Sequence, residues 1–347
     1  MIFWRSTSVR KSLFGFKFWA SALAAVTFFA GLNAVAGDYA GTRMVREFAQ
    51  RMAEQHDFEA AEVEALLGAA NRQQSILDAI ARPAEKSKPW YEYREIFLDD
   101  QRINGGVAFW RQHKDALKRA EKTFGVSPEI IVAIIGVETR YGAVTGSYRV
   151  LDALVTLGFD YPPRAAFFSK ELEQFLLLTR EQQQDARLLK GSYAGAMGYG
   201  QFMPSSYRAY AADFDGDGAV DIWTNPVDAI GSVGNYFKVH GWQAGEAVMV
   251  PAQVRKGYYS NLVNRVEKPR LAVSQLRKAG FKAASADGSA KAIPLMFENQ
   301  QGQEFWLGFQ NFYVITRYNR SPLYARAVWE LSQAIKAQRQ TVLSASM

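Results

Sequence analysis

The chain of 347 residues contains no cysteine. That excludes disulfides, thiolate metal sites, a cysteine nucleophile and a lipid carried on sulfur. Histidine is nearly as scarce. His56, His113 and His240 stand apart, without metal-ligand spacing, and surface or supporting places are expected of them. No block of like charge occurs either: 41 Lys and Arg face 34 Asp and Glu, for a net charge of +7 and a pI of ≈ 9.4. A basic surface suits an anionic partner, whether nucleic acid, membrane or acidic polymer, but charge spread this evenly weakens the nucleic-acid reading. The stretch Phe18–Leu32, FWASALAAVTFFAGL, is too short for a comfortable membrane span. It follows Arg5, Arg10, Lys11 and Lys17 and precedes the small-x-small site Ala34-Val35-Ala36. Residues 1–36 therefore read as a signal peptide, with an uncleaved anchor as the other reading. Export without cysteine points to a soluble protein of the bacterial periplasm.

What is present is apolar: 48% hydrophobic and 14% aromatic residues, enough for one large core or two to three domains. Sixteen Tyr and eight Trp suit sugar stacking and fit an ordinary core equally well. Thr42 to Ala70 predicts two short amphipathic helices broken near His56-Asp57. Pro83 and Pro89 mark a loop into Trp90–Tyr93, and Ile96 to Ala120 reads as helix interrupted at Asn104-Gly105-Gly106. Leu151–Phe159 and Arg164–Leu178 are further helices, and Pro226 opens another that ends at His240-Gly241-Trp242. Short apolar runs at 247–254, 271–273, 292–297 and 304–309 predict a small antiparallel sheet, with Gln301-Gly302 as a hairpin turn. The stretch 256–270 within it, KGYYSNLVNRVEKPR, is basic and aromatic and could face an anionic polymer. Asn311 to Ile335 returns to helix. The fold class expected is mainly helical α+β.

The most informative stretch is Ser127–Gly142, SPEIIVAIIGVETRYG. Ser127 suits an N-cap, Pro128 the first helical position, Glu129 the positive end of the dipole, and Gly142 a left-handed end. The residues between are apolar nearly all round, which predicts burial on several sides. Glu138 is the exception. Apolar neighbours and the negative end of the dipole both disfavour its charge, which suits a general acid. Taken by the helix alone, a terminal glutamate paired with Arg140 is the more ordinary reading. Gly191–Ser206, GSYAGAMGYGQFMPSS, is glycine-rich without periodicity yet too apolar for a linker, and reads as a loop of close backbone approach running into a helix begun by Pro204. Asp213–Asp221, DFDGDGAVD, places carboxylates at positions 1, 3, 5 and 9 of an EF-hand-type loop, with Gly218 at position 6. The twelfth position is Thr224 instead of Glu, and Asp228 is the expected substitute. Structural calcium is the metal expected, against a plain acidic turn whose Asp residues cap backbone.

These motifs in this order, with NPVDAIGSVGNYFKVHGW and FWLGFQNFYVITRYNRS after them, resemble the family of membrane-bound lytic murein transglycosylase B and its soluble forms, over about Gly37 to Lys336. The resemblance implies a lysozyme-like helical core with a flanking helical domain and a small β domain: 37–120 helical, 121–245 catalytic with the calcium loop, 246–309 β, and 310–347 completing the helical part. It implies cleavage of the β-1,4 bond from N-acetylmuramic acid to N-acetylglucosamine in peptidoglycan, leaving a 1,6-anhydro end. Carried over residue by residue, Glu138 is the catalytic acid and Ser192 holds the N-acetyl group. Gln201 lies beside the acid, and Tyr236, Tyr318, Asn319 and Tyr324 line the cleft. Tyr93 and Arg164 complete the candidate substrate-binding set. Family members carry paired arginines where this chain has Pro163-Arg164, so stem-peptide affinity is in question. Asp213, Asp215, Asp217, Ala219 and Asp228 match the calcium loop. No organic cofactor is implied. The partners implied are glycan strands and other cell-wall enzymes, with neither nucleic acid nor a stable membrane anchor. A hydrolytic muramidase and a non-catalytic peptidoglycan-binding protein are the competing functions.

Overall fold

Helix Pro128–Thr139 is buried along nearly its whole length because other helices close around it: Asp100–Gln112, Lys114–Phe124, Pro226–Val239 and the long terminal helix Pro322–Ala345. A helix apolar on every side has no solvent face to offer, so it takes the middle of the bundle. Its one early charge, Glu129, is 7% exposed and held by Lys336 Nζ at 2.8 Å. Ser127 occupies the N-cap position, but its side chain makes no capping bond.

The computed structural model describes residues 37–81, 88–254 and 261–345. The expected signal peptide, Pro83 and the KGYYS part of the basic-aromatic stretch lie outside them. Before the central helix come Arg43–His56, capped by Thr42 and ended by left-handed Asp57, and then Ala60–Gly68. Helix Gln74–Ile80, which the pattern had not suggested, follows them. Val150–Asp160 and Ala165–Glu181 pack side by side, and Pro204–Tyr210 rests on the second. The class is mainly helical α+β, as expected.

Helical boundaries differ from the sequence reading: Trp90–Tyr93 is a short helix, and the stretch expected to be helical from Ile96 to Ala120 breaks at His113, between Asp100–Gln112 and Lys114–Phe124. Asp100–Gln112 runs unbroken through Gly105 and Gly106. These glycines make room rather than a break: a Cβ on Gly105 would meet the Tyr141 ring at 2.8 Å, and one on Gly136 would meet the Tyr141 hydroxyl at 2.5 Å. Tyr141 is wedged between the two helices and donates to the Arg102 carbonyl at 2.6 Å. Another difference is at the C-terminus, where the expected single helix is two, Gln310–Tyr318 and Pro322–Ala345. Pro322 disfavours helical backbone in the residue before it, so the chain turns through Asn319–Ser321.

The antiparallel sheet has the strand order Leu271–Ala272, Lys291–Asn299, Gly302–Gly308, Met249–Val254, Phe281–Lys282. Asn299 pairs with Gly302, so the hairpin turn is Gln300-Gln301, one residue earlier than expected. Alternation splits the long strand: Ile293, Leu295 and Phe297 join the main core, while Ala292 joins a small separate one with Val273, Leu276 and Phe281.

Candidate active site

Glu138 sits on the last turn of the central helix and is half-buried. Its carboxylate Oε1 accepts the phenol of Tyr324, itself 3% exposed. Tyr324 reaches it because the Pro322 break starts the terminal helix beside the end of the central one. The expected left-handed end falls on Arg140, with φ 50°, and not first on Gly142. Tyr141 at φ 62° and Gly142 at φ 90° continue it. Three successive left-handed residues turn the chain sharply away just after Glu138. Strain of this kind persists where surrounding contacts over-determine it.

The glycine-rich loop is pinned to this corner. Thr139 Oγ1 donates to the Tyr199 carbonyl at 2.9 Å and accepts from the Gly142 amide at 3.1 Å. No Cβ fits on Gly142, where the Tyr199 ring would lie at 2.2 Å. Within the loop, Ser192 Oγ accepts the amides of Ala194 and Ala196, which leaves its hydroxyl proton to be donated. Gln201, left-handed at φ 50°, donates its amide nitrogen to the carbonyls of Thr145 and Gly198, which leaves its amide oxygen to accept. Thr139 was not singled out from the sequence. The one signal for it is a hydroxyl on the last helical residue, where free backbone groups gather.

Tyrosines make the other wall. Tyr318 donates to the Gly200 carbonyl at 2.6 Å, and Tyr236 to the Arg317 carbonyl at 2.6 Å, with their rings 4.8 Å apart. His240 stacks on Tyr236 at 4.0 Å, the supporting place expected of an isolated histidine. Burial, and then the charge of Glu138, raise the phenols of Tyr318 and Tyr324 well above the usual tyrosine range, so both remain donors. Asn319 lies in the turn after Tyr318 and faces a hollow of about 530 Å³ that Trp90 and Phe297 also line. Tyr93 is 1% exposed and packs on Phe97 and Trp90, so as placed it supports this wall instead of presenting a surface to a ligand. Arg164 is exposed, its guanidinium over the rings of Phe167 and Phe168.

In the acidic loop, carboxylate oxygens of Asp213, Asp215 and Asp217 lie within 4.8 Å of one another, all three exposed. Asp213 accepts the amides of Gly216 and Gly218, both at positive φ, and Asp217 that of Ala219. The Ala219 carbonyl accepts none of the described hydrogen bonds. Asp228 departs from its expected place among the ligands. It is fully buried, and its two oxygens take the amides of Phe214, Asp215 and Asp221. Desolvation pushes its carboxyl up, against those amides. It braces the loop from within, and the converging set is the three exposed aspartates.

Comparison with known proteins gives the family and the fold. The family described as Transglycosylase SLT domain matches residues 40–333. Membrane-bound lytic murein transglycosylase B of Escherichia coli (strain K12) is 46% identical over 313 residues, covering 87% of this chain and 85% of that protein. Among solved structures, the catenated lytic transglycosylase SltB1 from Pseudomonas aeruginosa superposes with a TM-score of 0.83 at 54% identity, over 87% of this chain and 100% of that one. The Escherichia coli lytic transglycosylase Slt35 in complex with calcium gives 0.80 at 46% identity, over 88% and 96%. With its motifs, its fold and nearly all its described length matched together, the chain belongs to the transglycosylase SLT domain family.

Proposed function

We propose that this protein is a peptidoglycan lytic transglycosylase that cleaves the bond from N-acetylmuramic acid to N-acetylglucosamine with Glu138 as its one acid and base. The observation that carries this is the placement of the Glu138 carboxylate: half-buried at the end of an apolar helix and held by the Tyr324 phenol. Other acids of the matched motifs are already engaged, Asp228 on amides and Asp221 on the amides of Trp223 and Thr224. Two-carboxylate hydrolysis therefore has less support than a single acid assisted by the substrate. Glu138 gives its proton to the glycosidic oxygen as the bond to C1 breaks. The 2-acetamido carbonyl stabilises the positive charge at C1, with the Ser192 hydroxyl free to hold that group. Ionised Glu138 then takes the proton of the sugar's own C6 hydroxyl, whose oxygen closes on C1. Intramolecular attack outruns water because its effective concentration is high. Gln201, Tyr236, Tyr318 and Asn319 are assigned to the glycan, and the expected division into helical, catalytic and β parts is kept as part of the same reading. Action in the periplasm on glycan strands follows from it.

Mass spectrometry of digested sacculi tests the reaction. Anhydro products, one water lighter than hydrolytic ones, are expected, and hydrolytic products alone would make the protein a muramidase. Tyr324→Phe removes one hydrogen bond to a charged group, so kcat is expected to fall about ten- to hundredfold, with little change in melting temperature. An unchanged kcat would remove Tyr324 from the site.

The acidic loop fits a hard dication: three oxygens converge, and the repulsion among them is what a cation relieves. Bound calcium would hold the turns of the loop together, on the brace that Asp228 already gives it, and supply no chemistry. At a hundredfold excess over its Kd, calcium is expected to raise the melting temperature by about 5 °C, and Asp213→Asn to abolish the rise. No shift in the wild-type protein would leave the loop a plain acidic turn.

A further inference from the structure

Chain ends fray unless contacts tie them down. Residues 37–39 are tied one after another. The Gly37 nitrogen donates to the Gly68 carbonyl at 2.8 Å, and the Asp38 amide to the Ala70 carbonyl at 3.1 Å. Asp38 Oδ2 accepts the Arg72 amide at 2.8 Å, and the hydroxyl of Tyr39, a residue 3% exposed, donates to Asp160 at 2.7 Å. The fit is close. A Cβ on Gly37 would meet the Ala70 carbonyl oxygen at 2.3 Å, and one on Gly68 would meet the Ala40 Cα at 3.4 Å.

The acceptor is the end of a helix. Gly68 closes Ala60–Gly68, and the last carbonyls of a helix have no partner within it. Those of Leu66 and Leu67 take the Ala69 and Ala70 amides, and that of Gly68 takes Gly37. This is the negative end of the helix dipole, where a cation is favoured. The Asp38 carboxylate adds negative charge one residue on, and the Arg72 guanidinium is held by Asp160. Ala34-Val35-Ala36 directly precedes this anchored segment. Hydrolysis of the Ala36–Gly37 peptide bond by a leader-removing peptidase consumes one water and leaves a carboxylate on Ala36. It turns the Gly37 amide into an amine, protonated at neutral pH because the ordinary pKa of such a group is about 8.

We propose that the α-ammonium created at Gly37 by leader removal docks on the Gly68 carbonyl at the end of helix Ala60–Gly68, so that processing itself supplies a charge that locks the start of the helical part. This docking rests on residues 1–36 being a signal peptide and is independent of the transglycosylase reading. It also gives residue 37 a reason to be glycine, since a side chain there would push the amine off its acceptor.

Amine reactivity tests it. The probe is acetic anhydride at neutral pH, and acetylation of the N-terminal peptide is followed by mass spectrometry. Three proteins are compared: the full chain recovered after export, a form freed at Gly37 from a fusion by a site-specific protease, and a form with Ser-Gly-Ser ahead of Gly37. The Gly37 amine is expected to react about tenfold more slowly than the extended one, because only the neutral amine reacts and a favoured ammonium is neutral less often. Unfolding should erase the difference. The extended form should melt about 1–3 °C lower, by a margin that shrinks as salt rises. Gly37→Ala should react as fast as the extended form, and a single cooperative melt excludes misfolding in each. Equal rates for the Gly37 and extended amines, or undiminished protection in Gly37→Ala, would overturn the proposal. An exported chain that starts elsewhere, with the protease-freed form still protected, would sink cleavage after Ala36 and leave the docking site standing.

Discussion

Glu138→Gln is expected to lower turnover of peptidoglycan by roughly two to four orders of magnitude, the size of a lost acid–base contribution. Gln is close to isosteric with Glu, and its amide oxygen can still accept the Tyr324 phenol, so the corner of the fold stays assembled. What it cannot do is give a proton to the leaving oxygen or later take one from the C6 hydroxyl. Both halves of the reaction fail together. Binding of glycan strands should persist, because Ser192, Gln201 and the tyrosine wall are held by contacts in which Glu138 has no part. Turnover, melting temperature and strand binding measured on one preparation check this. Release of anhydro-muropeptides at near the wild-type rate would end the assignment of Glu138. A wild-type protein that binds strands and releases nothing would be a binding protein.

The sequence made the centre of this site legible because one physical signal dominated there. A helix apolar on every side must lie in the middle of a bundle, and a lone carboxylate in its last turn stands out against that background. The loops beside it were legible through resemblance and glycine content. What was hidden were effects of tertiary contact. Gly105 and Gly106 looked like a helix break, but the reason for them is tertiary: the Tyr141 ring lies against Gly105, and the Ile335 side chain and the Tyr141 hydroxyl against Gly106. The acid at Asp228 looked like a metal ligand by spacing, yet burial committed it to backbone amides. Tyr93 was expected among the substrate-binding residues, and its burial against Trp90 and Phe97 makes it part of the wall. At Glu138 the structure adds the Tyr324 phenol as a donor, which local sequence could not foretell from 186 residues away. The Pro322 break that delivers this donor was readable in principle, since proline restricts the residue before it.

Arg326→Ala is expected to cost about 3 kcal/mol of stability and lower the melting temperature by about 5–10 °C. Arg326 is 4% exposed and joins three parts of the molecule. From the terminal helix it reaches Glu330 at 2.8 Å on its own helix and Glu304 at 2.7 Å on the sheet. Its guanidinium lies 4.4 Å from the ring of Trp90, 4.6 Å from Phe297 and 5.1 Å from Trp306. One guanidinium nitrogen, Nη1, is buried without a hydrogen-bond partner, and the ring faces are what compensate it. Truncation leaves Glu304 without its cation, Glu330 with the longer Arg94 contact at 3.5 Å, and a space between three aromatic rings. Arg326→Lys should rescue little, since an ammonium cannot span two carboxylates and stack on rings. Acid dependence gives a second check. Desolvation opposes ionisation of Glu304, but the bonds from Arg326 and Asn299 hold its carboxyl below the usual range. A depressed carboxyl contributes stability that is present above about pH 4.3 and is lost as pH falls through its folded value. The wild-type protein should lose that contribution on acidification, and the variant, in which Glu304 keeps the Asn299 bond but not Arg326, should show a shallower decline. Tyr324 stands two residues earlier on the same helix, so loosening this junction should also lower kcat more than it changes KM. A variant that melts with the wild type and keeps its acid profile would show that the rings alone hold the sheet to the helix.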